Sequence, residues 1–592
     1  MSPDHPRRVS RPSFPIFRSA VGFGRLLLAA MLIGGCSLPA HQTAGGTPAS
    51  ATQAASPAPG KTLSTLPTET VEPSATPPGP RPRTAYRLDL KFDYTKHTAA
   101  VLEEISYASP ASQPLTELDL VVEPNHYPGA FSLASAAVDG QAVTSPTLDG
   151  HKLVLPLAKP LTPGQSAQIS IAYTLVLQPI PPASGDRRPV IFGYSDRQTN
   201  LVDWYPYLGV YRDGTGWLIH DAWVFGEHQV YESSDYQVTL TLINPIPGLV
   251  VAASSAAAAP GGGATYQIEA ARTFALSISP EYVTTTLKAG AVTITGYAFP
   301  WDKAAGEKAA QDTAAAVELY SQLYGAYPHA SLSLVEADFL DGMEYDGLYF
   351  LSRGFYNLYD GTSKGYLTAI AVHETAHQWW FGRVGDDQAL EPWLDEAFAT
   401  YSELAFYEHN DPDLVDWWWK VRIQYYQPTG WINHPIYDYN GFSAYRNAVY
   451  FRGMEFLDDL RKQMGDQAFY AFLNDLVKRY GGGQMTGSEF FATLKEHTTS
   501  DIQPLIKEYF DPQVKQKGYP PAISAKGGSR SAACVPAPLD LTSSNESGLD
   551  RSAARPRQAA SGSSGCRRKY PEWCSNRSWR RLRNPAGSDR RP

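Results

Sequence analysis

Cysteine is nearly missing from this 592-residue chain: the four present are Cys36, Cys534, Cys566 and Cys574, so residues 37–533 contain none. That absence excludes a disulfide framework and thiolate metal ligands for the body of the chain. Long apolar runs are missing too. Leu26 to Ile33 is the best of them, about half the roughly 20 residues a bilayer-spanning helix needs. Positive charge is scarce where it would matter for nucleic acid. The net charge is −9, and residues 521–592 hold 14 Lys and Arg against 5 Asp and Glu, so the first 520 residues carry −18. An acidic body argues against a nucleic-acid partner.

What is present is organised around His373-Glu374-Thr375-Ala376-His377, with Glu396 nineteen residues beyond the second histidine. If Tyr366 to Phe381 is a helix, His373 and His377 sit one turn apart on the same face and can grip one metal ion, with Glu374 beside them to handle a water proton. A catalytic zinc usually takes three protein ligands and leaves one position open. Trp393 to Tyr401 reads as the start of a second, facing helix that brings Glu396 in as the third ligand. Glu403, two turns further along that face, is placed either to orient a ligand histidine or as a surface glutamate. The flanks Thr368–Val372 and Trp379–Phe381 are strongly apolar. A buried helix carrying His, Glu and His on one face needs a partner for them, and a metal is the economical one.

The length calls for two or three domains. Residues 1–36 read as a signal peptide, with Arg7, Arg8, Arg11, Arg18 and Arg25 ahead of the apolar run. The ending Ile33-Gly34-Gly35-Cys36 resembles the lipobox of bacterial lipoproteins. That resemblance implies lipidation at Cys36, a membrane partner through the lipid anchor, and an extracytoplasmic place in a bacterial cell envelope. An ordinary secretory signal is the alternative. Residues 37–84 are almost all Ala, Pro, Ser, Thr and Gly, a tether too poor in apolar surface to fold.

Residues 85–288 show short alternating segments, such as Tyr86–Phe92 and Tyr236–Leu242, punctuated by Gly, Pro and Asn. This predicts an antiparallel β domain. Trp204-Tyr205-Pro206-Tyr207 is read as core or interface packing ahead of a carbohydrate platform. Residues 289–520 mix strand and helix, predicting an α/β, mostly helical catalytic domain. Helices are expected at Lys303–Leu323, Ala448–Met464, Gln467–Tyr480, Ser488–Glu496 and Ile502–Phe510, and a strand at Ser331–Leu340. Residues 521–592 have no periodicity and read as a disordered basic tail or as sequence not selected to fold.

The His373-Glu374-x-x-His377 segment with Glu396 resembles the signature of the gluzincin metallopeptidases, specifically the zinc aminopeptidases of family M1. Ala376-His377-Gln378-Trp379, Trp393-Leu394-Asp395-Glu396 and Tyr450-Phe451-Arg452-Gly453 resemble three further blocks of that family. The likeness runs over about residues 85–520 and implies a β domain followed by a thermolysin-like zinc metallopeptidase domain. It implies one Zn2+ per chain on His373, His377 and Glu396, with peptides as substrates. Glu374 then moves the proton, and Tyr450 donates to the oxyanion, a contact worth about 3 kcal/mol in comparable sites. Gly342, Met343 and Glu344 match the family's Gly-x-Met-Glu-Asn strand, whose glutamate holds the substrate α-amine. Here Asp341 replaces the first glycine and Tyr345 the asparagine. Two other readings stand beside aminopeptidase: a zinc endopeptidase, and a non-catalytic surface binding protein on the same scaffold. The oligomeric state has no signal.

Overall fold

The computed structural model describes residues 81–181, 189–259 and 263–514. The segment read as a signal peptide, Cys36, nearly all of the expected tether and the expected basic tail lie outside the described residues. Among the described residues no helix is long and apolar enough to cross a membrane.

The alternation read at Tyr86–Phe92 becomes the strand Ala85–Asp93, whose Tyr86, Leu88, Leu90 and Phe92 are buried while the residues between them face outward. Each such side chain contributes about 2 kcal/mol on burial. A one-residue slip would turn all four to solvent, so the register is strongly held. This strand pairs antiparallel with Thr98–Ala108 on one side. On the other it pairs parallel with Ser234–Ile243, which departs from the purely antiparallel expectation. These strands and Ser166–Val176 form the middle of an eight-stranded sheet, and two four-stranded sheets and a hairpin complete the β-rich region. Trp204, Tyr205 and Tyr207 are buried in its core.

A mostly helical region follows, built on a five-stranded sheet in the order Val283–Ala289, Val292–Ala298, Ser331–Ala337, Leu348–Ser352, Gly342–Tyr345. Its first strand starts ahead of the boundary placed at 288 from sequence. Val292–Ala298 and Ser331–Ala337 run parallel and are joined by the helix Lys303–Tyr324. Both faces of this sheet are covered. Leu332, Leu334, Tyr349 and Leu351 join the helical core, whereas Val335, Ala337, Leu348 and Phe350 join the β-rich core. That sharing explains why these strands read as unbroken apolar runs.

Arg272 pins the two regions together. It is 2 % exposed, and its guanidinium donates to the carbonyls of Tyr231 (2.8 Å), Phe381 (2.6 Å) and Gly382 (3.1 Å). The edge strand Gly342–Tyr345 is fixed similarly. Gln378, directly after His377, donates to the Tyr345 carbonyl at 2.9 Å and accepts from the Gly347 amide at 2.9 Å.

Candidate metal centre

The first site helix is shorter than expected, Tyr366–Ala376. It ends where the backbone turns so that Gln378 can reach the edge strand. His373 and Glu374 lie in its last turn and His377 caps it, all buried. The second helix, Trp393–Asn410, is buried as far as Tyr407 and carries Asp395, Glu396 and Glu403.

The tautomers of both histidines follow from their partners. His373 Nδ1 lies 3.0 Å from Glu403 Oε1, an acceptor, so the proton sits on Nδ1 and Nε2 keeps its lone pair. His377 Nδ1 faces two acceptors, Asp395 Oδ1 at 2.6 Å and the Trp380 carbonyl at 3.1 Å, with the same result. The two bare Nε2 atoms then converge on Glu396 Oε2, at 3.2 Å from His373 and 3.6 Å from His377. Three acceptors facing one another need a cation between them. Donors about 2.0–2.2 Å from a tetrahedral ion stand about 3.3–3.6 Å apart, so both separations to Glu396 Oε2 suit a divalent cation of that kind.

Electrostatics point the same way. Burial opposes protonation of His373, but the facing carboxylates of Glu396 and Glu403 outweigh it and favour positive charge on the imidazole, above its ordinary range. Burial would also raise the Glu396 carboxyl, yet His373 and His377 hold it below the usual carboxylate range. The pocket favours positive charge. Behind His373, Glu403 is fully buried and accepts from Trp418 Nε1 at 2.9 Å and from both Arg422 Nε (2.9 Å) and Nη2 (2.8 Å). Of the two readings left open for Glu403, the structure favours the orienting one over a surface glutamate.

Glu374 stands on the other side of the site. Its Oε2 is buried without a hydrogen-bond partner, and burial, then Glu396, Asp341 and Glu227, push its carboxyl well above the usual range while His377 opposes them. Gly342 packs against it: a Cβ there would stand 2.0 Å from Glu374 Oε1. Alternation along Gly342–Tyr345 gives the strand two roles. Gly342 and Glu344 face the helix carrying the histidines, while Met343 and Tyr345 join the β-rich core. Tyr345, the departure from the family asparagine, therefore packs away from the metal site. Glu344 is 4 % exposed, its Oε1 has no hydrogen-bond partner, and burial pushes its carboxyl up.

Tyr450 lies in a π-helical turn, Asn447–Arg452, and donates to Glu396 Oε1 at 2.5 Å. Gly453 makes that approach possible, because a Cβ there would come within 2.5 Å of the Ala397 Cβ on the second site helix. His373, Glu374, His377, Glu396, Glu344 and Tyr450 border one cavity of about 370 Å3. Its wall also holds Glu227 from the β-rich region, Arg422 and Arg446. Together with Asp395, these are the site residues that sequence reasoning missed. Asp395 had a signal in its place beside Glu396; the other three stand in stretches with no pattern.

The description of the Peptidase family M1 domain matches residues 309–509. Residues 309–509 are a peptidase family M1 domain. The chain is 27 % identical over 177 residues to aminopeptidase N of Lactococcus lactis subsp. cremoris, covering 27 % of this chain and 19 % of that protein. With aminopeptidase N of Lactobacillus helveticus it shares 29 % identity over 225 residues, covering 35 % and 26 %. The matched stretch thus spans about a fifth to a quarter of these relatives. Among solved structures, an M1 zinc metallopeptidase from Deinococcus radiodurans superposes with a TM-score of 0.50 at 18 % identity, covering 74 % of this chain and 96 % of that one. A substituted form bound to a Tyr-Ser-Ala substrate gives 0.51 with the same identity and coverage. At that identity the likeness speaks for the fold: a β-rich region followed by a mostly helical domain.

Proposed function

We propose that this chain is a zinc-dependent metallopeptidase that removes residues from the free N-terminus of peptides, and that a lipid on Cys36 holds it at the bacterial cell envelope, outside the cytoplasm. The observation that carries the catalytic reading is the convergence of two bare imidazole nitrogens on Glu396 Oε2, beside a buried carboxylate, Glu374, whose Oε2 has no hydrogen-bond partner. Support for the location is confined to the sequence: the arginine-rich start, the short apolar run and Gly34-Gly35-Cys36.

His373, His377 and Glu396 would hold the zinc. When bound, zinc supplies Lewis acidity that polarises the scissile carbonyl and acidifies water. The chain's own residues do the rest. Glu403 and Asp395 fix the imidazole tautomers, which keeps both Nε2 lone pairs available. Glu374, with an unpaired oxygen and a raised affinity for protons, takes a proton from the attacking water and returns it to the leaving amine. Burial, then the charge of Glu396, keeps the Tyr450 hydroxyl protonated, so it is a donor for charge developing on the carbonyl oxygen. Burial, then the neighbouring charge of Glu227, raises the cost of ionising Glu344, a cost that an incoming ammonium group relieves. That pairing favours a free α-amine at this end of the cavity.

The test compares an aminoacyl chromogenic substrate with its N-acetylated form, with and without chelator. The proposal expects chelator-sensitive cleavage of the free form, abolished by Glu374→Gln. Cleavage of both forms at equal rates would replace aminopeptidase by endopeptidase, and cleavage that survives both chelation and Glu374→Gln would remove the zinc reading.

A further inference from the structure

A second cluster of imidazoles lies in the β-rich region, outside the centre described above. Glu123, His126, His151 and His228 each offer one ligand atom, and the four atoms lie within 4.8 Å of one another. Three separate segments bring them together. Glu123 and His126 occupy a single 3₁₀ turn, Glu123–His126, where residues three apart share a face. His151 follows Gly150, whose φ of +55° turns the chain between the strands Thr147–Asp149 and Lys152–Leu161. His228 sits in the loop ahead of the strand Ser234–Ile243. Two hydrogen bonds lock the first two segments: the Val122 amide donates to the His151 carbonyl at 2.7 Å, and the Asn125 side chain donates to the Gly150 carbonyl.

The donors are arranged around a centre. Glu123 Oε1 lies 3.1 Å from His228 Nε2, and its Oε2 lies 3.4 Å from His126 Nε2. The three rings are 4.7 to 6.0 Å apart between centroids. His151 is only 7 % exposed, and its Nε2 is buried with no hydrogen-bond partner. A buried ring nitrogen facing a carboxylate and two further imidazoles costs free energy unless a cation fills the space. Imidazole with carboxylate suits zinc and its first-row neighbours far better than calcium or magnesium, which prefer all-oxygen shells. A tetrahedral ion needs donor separations of about 3.3–3.6 Å, so ring rotations of about 1 Å close this set. The His126 side chain is 31 % exposed and leaves a way in for the ion.

We infer that Glu123, His126, His151 and His228 form a second, structural site for a zinc-like divalent transition-metal cation, independent of the hydrolytic centre. Four protein donors leave no open position, which separates it from a catalytic site. Its consequence for the cavity is direct. Glu227, beside His228 in the chain, lines the hydrolytic cavity with Gly226. An ion on His228 fastens that loop to the 3₁₀ turn and to the Gly150 turn.

The test is zinc content per chain in the full-length protein after equilibration with zinc and removal of free metal. Wild type is expected to hold two ions, the His373→Ala/His377→Ala protein one, and that protein with His126→Ala added none. Cobalt titration of the unsubstituted chain needs no folded variant and is expected to break at two equivalents. If wild type holds one ion that His373→Ala/His377→Ala leaves in place and His126→Ala removes, the inference stands and the hydrolytic centre fails. Absence of any ion from the His373→Ala/His377→Ala protein, with a cobalt break at one equivalent, would overturn the inference. So would a second ion that persists after His126→Ala and His151→Ala together.

Discussion

The two histidine clusters differ in what stands behind the imidazoles. In the helical region His373 and His377 donate hydrogen bonds from Nδ1 to Glu403 and Asp395, and Glu403 is itself held by Arg422 and Trp418. In the β-rich region the one carboxylate of the cluster, Glu123, faces the imidazoles directly. The first arrangement fixes ring orientation before any ion arrives and leaves a coordination position facing a cavity. The second is held by backbone turns and closes on itself. One is built to position a reaction, the other to hold segments together.

The largest effect that would sharpen this contrast is Glu374→Gln. Loss of the proton carrier is expected to lower kcat by about 10³-fold while zinc content stays at the wild-type value, read by steady-state kinetics and metal analysis on the same sample. Gly342→Ala comes next. Its new Cβ would drive the Glu374 carboxylate aside, and a displacement of about 1 Å costs about 10²-fold in turnover; zinc content is again expected to hold. Glu403→Gln probes the outer partner itself. Removing the charge behind His373 is expected to weaken zinc binding by about 10- to 100-fold, measured by competition with a chromophoric chelator. An unchanged affinity would break the comparison, because the backing carboxylate would then contribute nothing.

The smallest effect concerns a buried carboxylate with no imidazole facing it. Burial, opposed by the Phe299 amide, pushes the Glu336 carboxyl up to about 9. Its folded-state value lies above the unfolded one of about 4.3, so between those values the folded state holds a proton the unfolded state has lost. Stability contributed by this residue is therefore full below about pH 4 and lost as pH rises towards 9. Glu336→Gln is expected to raise the Tm at pH 8 by a few degrees and to leave it unchanged near pH 4, measured by thermal unfolding. An equal gain at both pH values would point to packing rather than to the charge.

Much of this was legible in the residues, for reasons that differ by element. The helix Lys303–Tyr324 and the strands at Ala85 and Ser234 follow short-range periodicity, which needs no knowledge of tertiary partners. His373, Glu374, His377 and Glu396 were legible because a fixed spacing on two helices carries the chemistry. Arg422 was not: it stands in a π-helical turn, Trp419–Ile423, with no apolar period to announce it, and its role appears only when Glu403 is seen to need a cation. The second histidine cluster was illegible for a similar reason. Its members are spread from residue 123 to residue 228 and meet only through turns. Glu227 reaches the cavity from the other region of the fold, a placement that depends on clamps such as Arg272.

The most direct measurement is an anomalous-difference map at the zinc absorption edge from crystals grown with zinc. A peak bonded to His373 Nε2, His377 Nε2 and a Glu396 carboxylate oxygen, with one position open to the cavity beside Glu374, is the expected result. Zinc absent from these three side chains, or bound with Glu396 turned out of reach, would contradict the claim that they form one hydrolytic centre.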